Sequence, residues 1–471
     1  MSDQTFSKAV KSRDDFSFSS ICTSELSRTP EDLLVNLFNC LDRNEVRYCV
    51  LHSWEELPQK LSSDLDIAVH PEDARKLPLL FLSLREKGYT AVQVFNYFVD
   101  AYYFVFLWLD GNTVKSVAID LILEHRRGGL IVPSGESLVS GRRRQGVFWI
   151  PSPESEFTYL LAKKTWKGAA PPRQALRLKA LVEHLGGPTA ERLAGQLFLG
   201  ELRIGVVEAC ASGRIDALLG KLKGQTWKTS FFRNPWGLTA YVLSDSVRRA
   251  RRWMQPTGVF VTVMGPDGVG KSTLIQNLIL AVGPAFRRHR LFHWRPMLLL
   301  RRKNRRKTTQ PHSLPPHPSW RSIAMLFAYL LDYWLGYWLL IRPILARSGL
   351  VIFDRYFDDL LIDAKRYRYG RPLWVARVLR SFMPKPDLVL VLDAPDEVVL
   401  SRKQEVAPEE VRRQRRLYSQ YQSEMPDSRL IDATASVDQV TAQSARAILE
   451  FLEQRYQRRH ARWLVRDRAD V

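Results

Sequence analysis

Three groups of residues in this chain have the types and spacing to do chemistry. The first is Gly265-Pro266-Asp267-Gly268-Val269-Gly270-Lys271-Ser272, followed by Thr273. It fits the pattern GxxxxGK[ST] at each required position, with an apolar run before it and an amphipathic run after it. Gly265, Gly268 and Gly270 let main-chain N–H groups turn inward around phosphate oxygens, and a helix opening at Lys271 presents its positive end. Lys271 has the length to reach β- and γ-phosphates, and the Ser272 hydroxyl is a ligand for Mg2+. The expectation is a nucleoside triphosphate site that takes ATP with Mg2+.

The second group closes the apolar run Leu350-Val351-Ile352-Phe353 with Asp354-Arg355-Tyr356. A carboxylate at the carboxyl end of a parallel strand beside the phosphate loop can hold Mg2+ or its water. Arg355 can then grip an acceptor phosphate with two N–H groups. The third group lies far upstream: Asp64 and Asp66 entering one strand, Asp120 on a later one, and His52-Ser53 before them. Two carboxylates spaced DxD point to opposite faces of a strand. A bend at its start lets them converge with Asp120 on Mg2+. Lys163, Lys164 and Lys167 read as the solvated face of a helix, able in the right fold to approach a phosphate.

These residues need scaffolding of two kinds. Residues 1–29 read as a flexible tail. Helix, strands 48–51 and 65–69, and a strand pair 98–109 and 114–123 about the turn Asp110-Gly111-Asn112 then form an α/β unit over 30–150. A helical subdomain and linker follow over 151–247, with helices at 154–167, 173–185 and 189–210 and a connection marked by the Pro/Trp/Gly cluster at 234–237. From 248 to 460 strands and helices alternate, which argues a parallel sheet covered on both faces. A loop covers 301–318, and 461–471 is a basic tail.

Composition sets the class. At 471 residues, 45% hydrophobic and 25% charged, the chain is an ordinary globular protein of two or three domains, and fibrous or wholly disordered character is excluded. Cys22, Cys40, Cys49 and Cys210 form no CxxC and no Cys/His cluster, which argues against structural zinc and a disulfide scaffold and for a cytoplasmic location. The net charge of +21 is uneven: +4 over residues 1–250 and +17 over 251–471. A basic half serves phosphorylated substrates, nucleic acid or an anionic membrane surface, or simply solvates helix faces. The N-terminus has no apolar signal region. Ile323 to Ile341 approaches the length of a membrane span, but Asp332 at its centre argues for a buried helix with that carboxylate turned toward a site.

With these residues in place, the C-terminal half resembles the thymidylate kinase family of nucleoside monophosphate kinases. The likeness rests on GPDGVGKST (265–273), Asp354-Arg355-Tyr356, PDLVLVLDAPDEVVLSRK (386–403) and IDATASVDQV (431–440), and covers about residues 256–460. It implies that Asp267 faces the acceptor, that Arg355 binds the acceptor's phosphate, and that Arg402, Arg412, Arg413, Arg415 and Arg416 lie in or near a lid over ATP. It departs from the family at Leu331-Asp332-Tyr333-Trp334, where the Arg that usually follows the Asp is missing. The N-terminal half, about residues 30–210, resembles the DNA polymerase β-like nucleotidyltransferases through Ser53, Asp64, Asp66 and Asp120, with His52 in place of a usual Gly.

The expected fold is therefore α/β throughout: a nucleotidyltransferase-like α/β domain with a helical subdomain, then a three-layer α/β/α phosphate-loop kinase domain. The expected activity is phosphoryl transfer from ATP to a small acceptor, nucleoside monophosphate-like or sugar-type. Two alternatives stand beside it. One is a bifunctional kinase and nucleotidyltransferase of polysaccharide or nucleotide metabolism. The other is a nucleotide-gated nucleic-acid binder using the basic run 301–307, which few aromatics interleave. No transmembrane span is expected, while peripheral membrane contact suits the charge.

Overall fold

The computed structural model describes residues 28–61, 64–127, 130–299, 315–402 and 407–466. The tail expected over 1–29 (apart from Arg28 and Thr29), the Ser62-Ser63 pair and the basic run 301–307 lie outside the described residues. The helix Pro30–Arg43 opens the described chain, with the Thr29 side chain accepting from the Asp32 amide at 3.1 Å.

Five strands form the N-terminal sheet: β1 (Tyr48–Val50), β2 (Leu65–Val69), β3 (Thr90–Phe98), β4 (Ala101–Asp110) and β5 (Thr113–Ile122). Their order is β1-β2-β5-β4-β3, with β2 and β5 parallel and the other neighbours antiparallel. The parallel pair sets Asp66 opposite Asp120. Two short ribbons follow, β6 (Arg126–Arg127) with β7 (Leu130–Ile131), and β8 (Arg143–Gln145) with β9 (Phe148–Ile150). The turn between β4 and β5 falls where the sequence places it, but β3 was not expected before residue 98. Its Thr90-Ala91-Val92-Gln93 start alternates too weakly to show a strand without its partner.

The C-terminal sheet contains β10 (Val259–Met264), β11 (Arg288–His293), β12 (Gly349–Asp354), β13 (Leu388–Asp393) and β14 (Ser428–Asp432), all parallel, in the order β11-β12-β10-β13-β14. Residues of β10 are buried throughout, as a central strand covered on both faces demands. The next helix, Lys271–Val282, buries Leu274, Ile275, Leu278 and Val282 against it.

Between the sheets the helical region differs from expectation. The single helix expected over 189–210 is two, Gly187–Ala194 and Leu202–Ala211, and the connection expected near 234–237 is a junction between helices Asp216–Arg233 and Pro235–Met254. Proline at a first helical position loses no hydrogen bond, and the Asn234 side chain accepts from the Gly237 amide at 2.7 Å to cap the second helix. That helix runs through residue 248, where a domain boundary was expected.

The apolar run around Asp332 belongs to Ser319–Leu345, among the described residues the one helix long and apolar enough to cross a membrane. Asp332 does turn inward and is fully buried, but the helix is not buried all round. Trp320, Phe327, Leu331, Trp334 and Trp338 form an exposed stripe. Finally, Val437–Arg466 packs Ala445, Ile448 and Leu452 into a core shared with Val105 and Leu107 of β4, while Tyr456 enters the core of the N-terminal sheet.

Candidate active site

The phosphate loop leaves β10 at Gly265. That residue holds φ at +143°, and a Cβ there would stand 2.6 Å from the Leu392 carbonyl oxygen, so only glycine fits. Gly268 and Gly270 also have positive φ. Lys271 is buried and folds back onto its own loop, donating to the Gly265 and Pro266 carbonyls at 2.8 and 2.6 Å. Burial and the neighbouring Arg355 charge push its ammonium down to about 7. Ser272 and Thr273 are exposed on the first helical turn.

Beside the loop, β12 delivers Asp354. Its Oδ2 lies 3.0 Å from His293 Nδ1 of neighbouring β11, and its Oδ1 is buried with no hydrogen-bond partner. Burial alone would raise this carboxyl, but the His293 hydrogen bond and the Lys271 charge hold it low. A buried, ionised oxygen left open beside a phosphate loop is a fitting ligand for a divalent cation. Asp354 and the Ser272 hydroxyl are the two groups the sequence assigns to such an ion.

The next residue turns sharply. Arg355 takes φ +70° with its amide on the Val263 carbonyl, which swings the side chain under the loop. One guanidinium nitrogen donates to Asp359 Oδ2 at 2.7 Å, and another donates to Asp267 Oδ1. Asp267 also accepts from Arg366. Burial opposes charge on all these groups, yet Arg355, Lys271 and Arg366 keep the Asp267 carboxyl well below its usual range. Tyr367 and Tyr418 hydroxyls close the ring around Asp359. Arg366 was not foreseen, and neither was its framework: Trp294 stacks on Tyr367 at 4.3 Å and meets Tyr329 edge-on at 4.8 Å. Lys365-Arg366-Tyr367 carries no spacing signal of its own. Only the fold brings it back to Asp267.

The arginine missing beside Asp332 has a counterpart from another element. Arg295 Nη1 donates to Asp332 at 3.0 Å, and the amides of Met297, Leu298 and Leu299 donate to the same carboxylate.

The basic residues expected over ATP divide. Arg402 donates to the Val269 carbonyl of the phosphate loop at 3.3 Å and to Ala433 at 3.1 Å. Arg412 is exposed 3.4 Å from Asp396. Arg413 pairs with Glu410, Arg415 is held by Asp393 and Asp396, and Arg416 is exposed. Residues 403–406 lie outside the described residues.

The N-terminal group gathers on β2 and β5 about a lysine. Asp66 is closed by side chains from its own half: Lys163 Nζ at 2.7 Å and His52 Nε2 at 2.9 Å, with Lys163 also 2.8 Å from His52 and 2.9 Å from the Tyr159 hydroxyl. Asp120 accepts from the Tyr97 hydroxyl, and burial together with Asp66 raises its carboxyl. Burial raises Asp64 as well. Among the described residues no set of three His, Cys, Asp or Glu side chains is grouped as a metal site, yet the three carboxylates lie near one another: Asp66 stands opposite Asp120 in the parallel pair, and the charges of Asp66 and Asp64 both act on Asp120. The Lys163 ammonium already pairs with Asp66 in this arrangement. Lys163 and Lys164 are correspondingly not a solvated face: Lys164 is buried, and of the three only Lys167 is exposed.

Against known proteins, no family model matches the chain. A thymidylate kinase of Xanthomonas oryzae pv. oryzae is 30% identical over 215 residues, which are 43% of this chain and 88% of that protein. The chain belongs to the thymidylate kinase family. A relative from Xanthomonas campestris pv. campestris is 29% identical over 216 residues with the same coverage, and one from Xylella fastidiosa is 32% identical over 124 residues, 25% of this chain and 58% of that protein. A solved thymidylate kinase from Candida albicans covers 42% of this chain and 93% of its own at 19% identity, with a TM-score of 0.31. The part of the chain that matches the thymidylate kinases is kinase-like, and the rest has no counterpart among these relatives.

Proposed function

We propose that the C-terminal half transfers the γ-phosphoryl group of ATP, with Mg2+, to a phosphate on a small acceptor of nucleoside monophosphate or sugar phosphate type. The observation that carries this reading is the buried Arg355–Asp267–Arg366 cluster beneath the phosphate loop. Two guanidinium groups converge on one carboxylate of that loop, next to the open oxygen of Asp354. In this reading Lys271 leaves the Gly265 and Pro266 carbonyls for the donor phosphates, and Arg355 and Arg366 present their remaining N–H groups to the acceptor. A bound Mg2+ supplies charge neutralisation on the donor phosphates. Trp294 and Tyr367 wall the acceptor side with aromatic surface, which excludes water and suits a flat ring. Asp267 keeps the two arginines oriented when no acceptor is bound.

The test is ADP release by the full-length protein with ATP and Mg2+ over a panel of nucleoside monophosphates and sugar phosphates. The expected result is turnover with one acceptor class, saturable in that acceptor and lost in Lys271→Ala. ATP hydrolysis at a rate no acceptor changes would defeat the reading.

A further inference from the structure

A cleft of about 760 Å³ lies between the two halves, and neither the phosphate loop nor the N-terminal carboxylates open into it. Its C-terminal wall comes from the amino edge of the parallel sheet: Thr257 precedes β10, Lys385 to Asp387 precede β13, and Asp427 precedes β14. Asp354 and the phosphate loop sit at the opposite edge, a strand length of about 20 Å away. Its N-terminal wall is one face of the other sheet, where Val94 pairs with Phe104 and Tyr102 with Leu121 across the strands. Asp120 lies on the other face, one residue out of phase with Leu121.

The two walls differ in chemistry. Val94, Phe104, Leu121, Leu123 and Phe451 give an apolar surface, with Asn96 and Gln255 the main amides near it. Facing them are Arg251 and Arg252 from one helix, Arg455, Arg458 and Arg459 from the last helix, and Lys385, with Arg75 across the opening. Against these seven cations stand two carboxylates, Asp387 and Asp427, and Asp387 already accepts from the Phe260 amide. The inner arginines rest on main-chain carbonyls: Arg252 on Ala346, Arg455 on Gly258 and Thr257, Arg459 on Pro256. Burial, above all, pushes Arg252 and Arg455 down to about 10; Arg248, Arg287 and Arg347 add to it at Arg252, while at Arg455 Asp387 opposes it and Arg459 and Arg458 add to it.

We propose that this cleft is a second ligand site, for an amphipathic phosphate ester whose hydrocarbon body lies on the apolar sheet face and whose phosphate meets the arginines at the rim. A phosphate suits the site better than a single carboxylate, because it brings more negative charge to a cluster with five surplus cations and matches the guanidinium fork. A nucleotide suits it less, because the apolar wall offers a base few hydrogen-bond partners. The cleft has the volume of a small-molecule site, so it takes one molecule rather than a lipid surface.

The experiment is calorimetry of full-length protein with monomeric dodecyl phosphate. Inorganic phosphate, ATP and anionic-lipid vesicles serve as comparisons, and the variant is Arg251→Glu/Arg458→Glu. Both arginines are exposed and remote from the phosphate loop. Saturable one-to-one binding that ATP does not displace, weakened at least about tenfold in the variant and by rising salt, is the expected result. Displacement by ATP, equal affinity in the variant, or binding to vesicles without binding of the monomer would each overturn the proposal. Should the variant not fold, a photoreactive alkyl phosphate on the wild-type protein decides it. Crosslinks must fall on the cleft walls, within residues 74–78, 94–104, 121–123, 251–257, 385–387, 427 or 451–459, and crosslinks elsewhere reject the site.

Discussion

At the scale of single residues, the kinase site is a set of charges that neutralise one another. Lys271 illustrates the cost: buried against its own loop carbonyls and 4.0 Å from Asp267, its ammonium is still pushed down to about 7 by burial. Lys271→Ala is therefore expected to lower kcat/KM about 100-fold or more, the loss typical of one transition-state donor, in an ADP-release assay. Arg366 is separable from it. Removing a charge-assisted hydrogen bond of about 1.5–3 kcal/mol, Arg366→Ala should raise the acceptor's KM about tenfold or more while the KM for ATP stays within about twofold. Comparable shifts in both constants would place Arg366 on the donor side. In the other half, Lys164 is pushed down to about 8 by burial and by Lys167 and Lys163. Its folded value lies below its unfolded one, so the charged form destabilises the fold at neutral pH, and that penalty fades as pH rises from about 8 to 10.5. Lys164→Met should accordingly raise the melting temperature by a few degrees at pH 7 and by progressively less toward pH 10. A gain independent of pH would show that volume, not charge, is responsible.

At the scale of elements, what the sequence makes legible follows from how local each signal is. The phosphate loop declares itself because its glycines, lysine and serine are contiguous and the strand before it and helix after it are long and periodic. Asp354-Arg355 is nearly as clear, since it terminates an uninterrupted apolar strand. Arg366, Trp294 and Arg295 are not legible, because each acquires its role only when a segment returns to the sheet edge. The same holds for Lys163, four residues from Tyr159 on one helix face and 97 positions from the Asp66 it neutralises. Among these non-local pairings, Asp332 with Arg295 makes the firmest prediction. The carboxylate is fully buried and satisfies one guanidinium and three amides that shape the chain after β11. Asp332→Ala removes the carboxylate from a buried guanidinium and three N–H groups. It should cost about 3 kcal/mol or more in chemical denaturation and raise the acceptor's KM through Trp294. Stability within about 1 kcal/mol of wild type would mean that the loop repacks around Arg295 without its partner.

At the scale of the whole molecule, the two halves are held together by the last helix more than by the connecting one. Val437–Arg466 begins on β14, lays Ala445, Ile448 and Leu452 against β4 of the N-terminal sheet, and ends by placing Tyr456 in that sheet's own core. Glu453 pairs with Arg85 across the boundary, and Arg455 ties the same turn back to Thr257 and Gly258 at the start of β10. A helix from the kinase-like half thus completes the hydrophobic core of the other, so the stability of one should depend on residues of the other. Tyr456 isolates this coupling, since it is 3% exposed and sits with Leu33, Phe38 and Phe81 in the N-terminal core rather than among kinase side chains. Tyr456→Ala removes a large buried ring at a cost of about 3–5 kcal/mol, the range for buried aromatic truncation. Hydrogen exchange read by mass spectrometry should show faster exchange in peptides covering Pro30–Arg43 and β2, far upstream of every kinase motif in the sequence, with the phosphate-loop helix Lys271–Val282 little changed. Exchange that quickens only within the last helix would show that the halves fold as independent bodies and that Tyr456 merely rests against its neighbour.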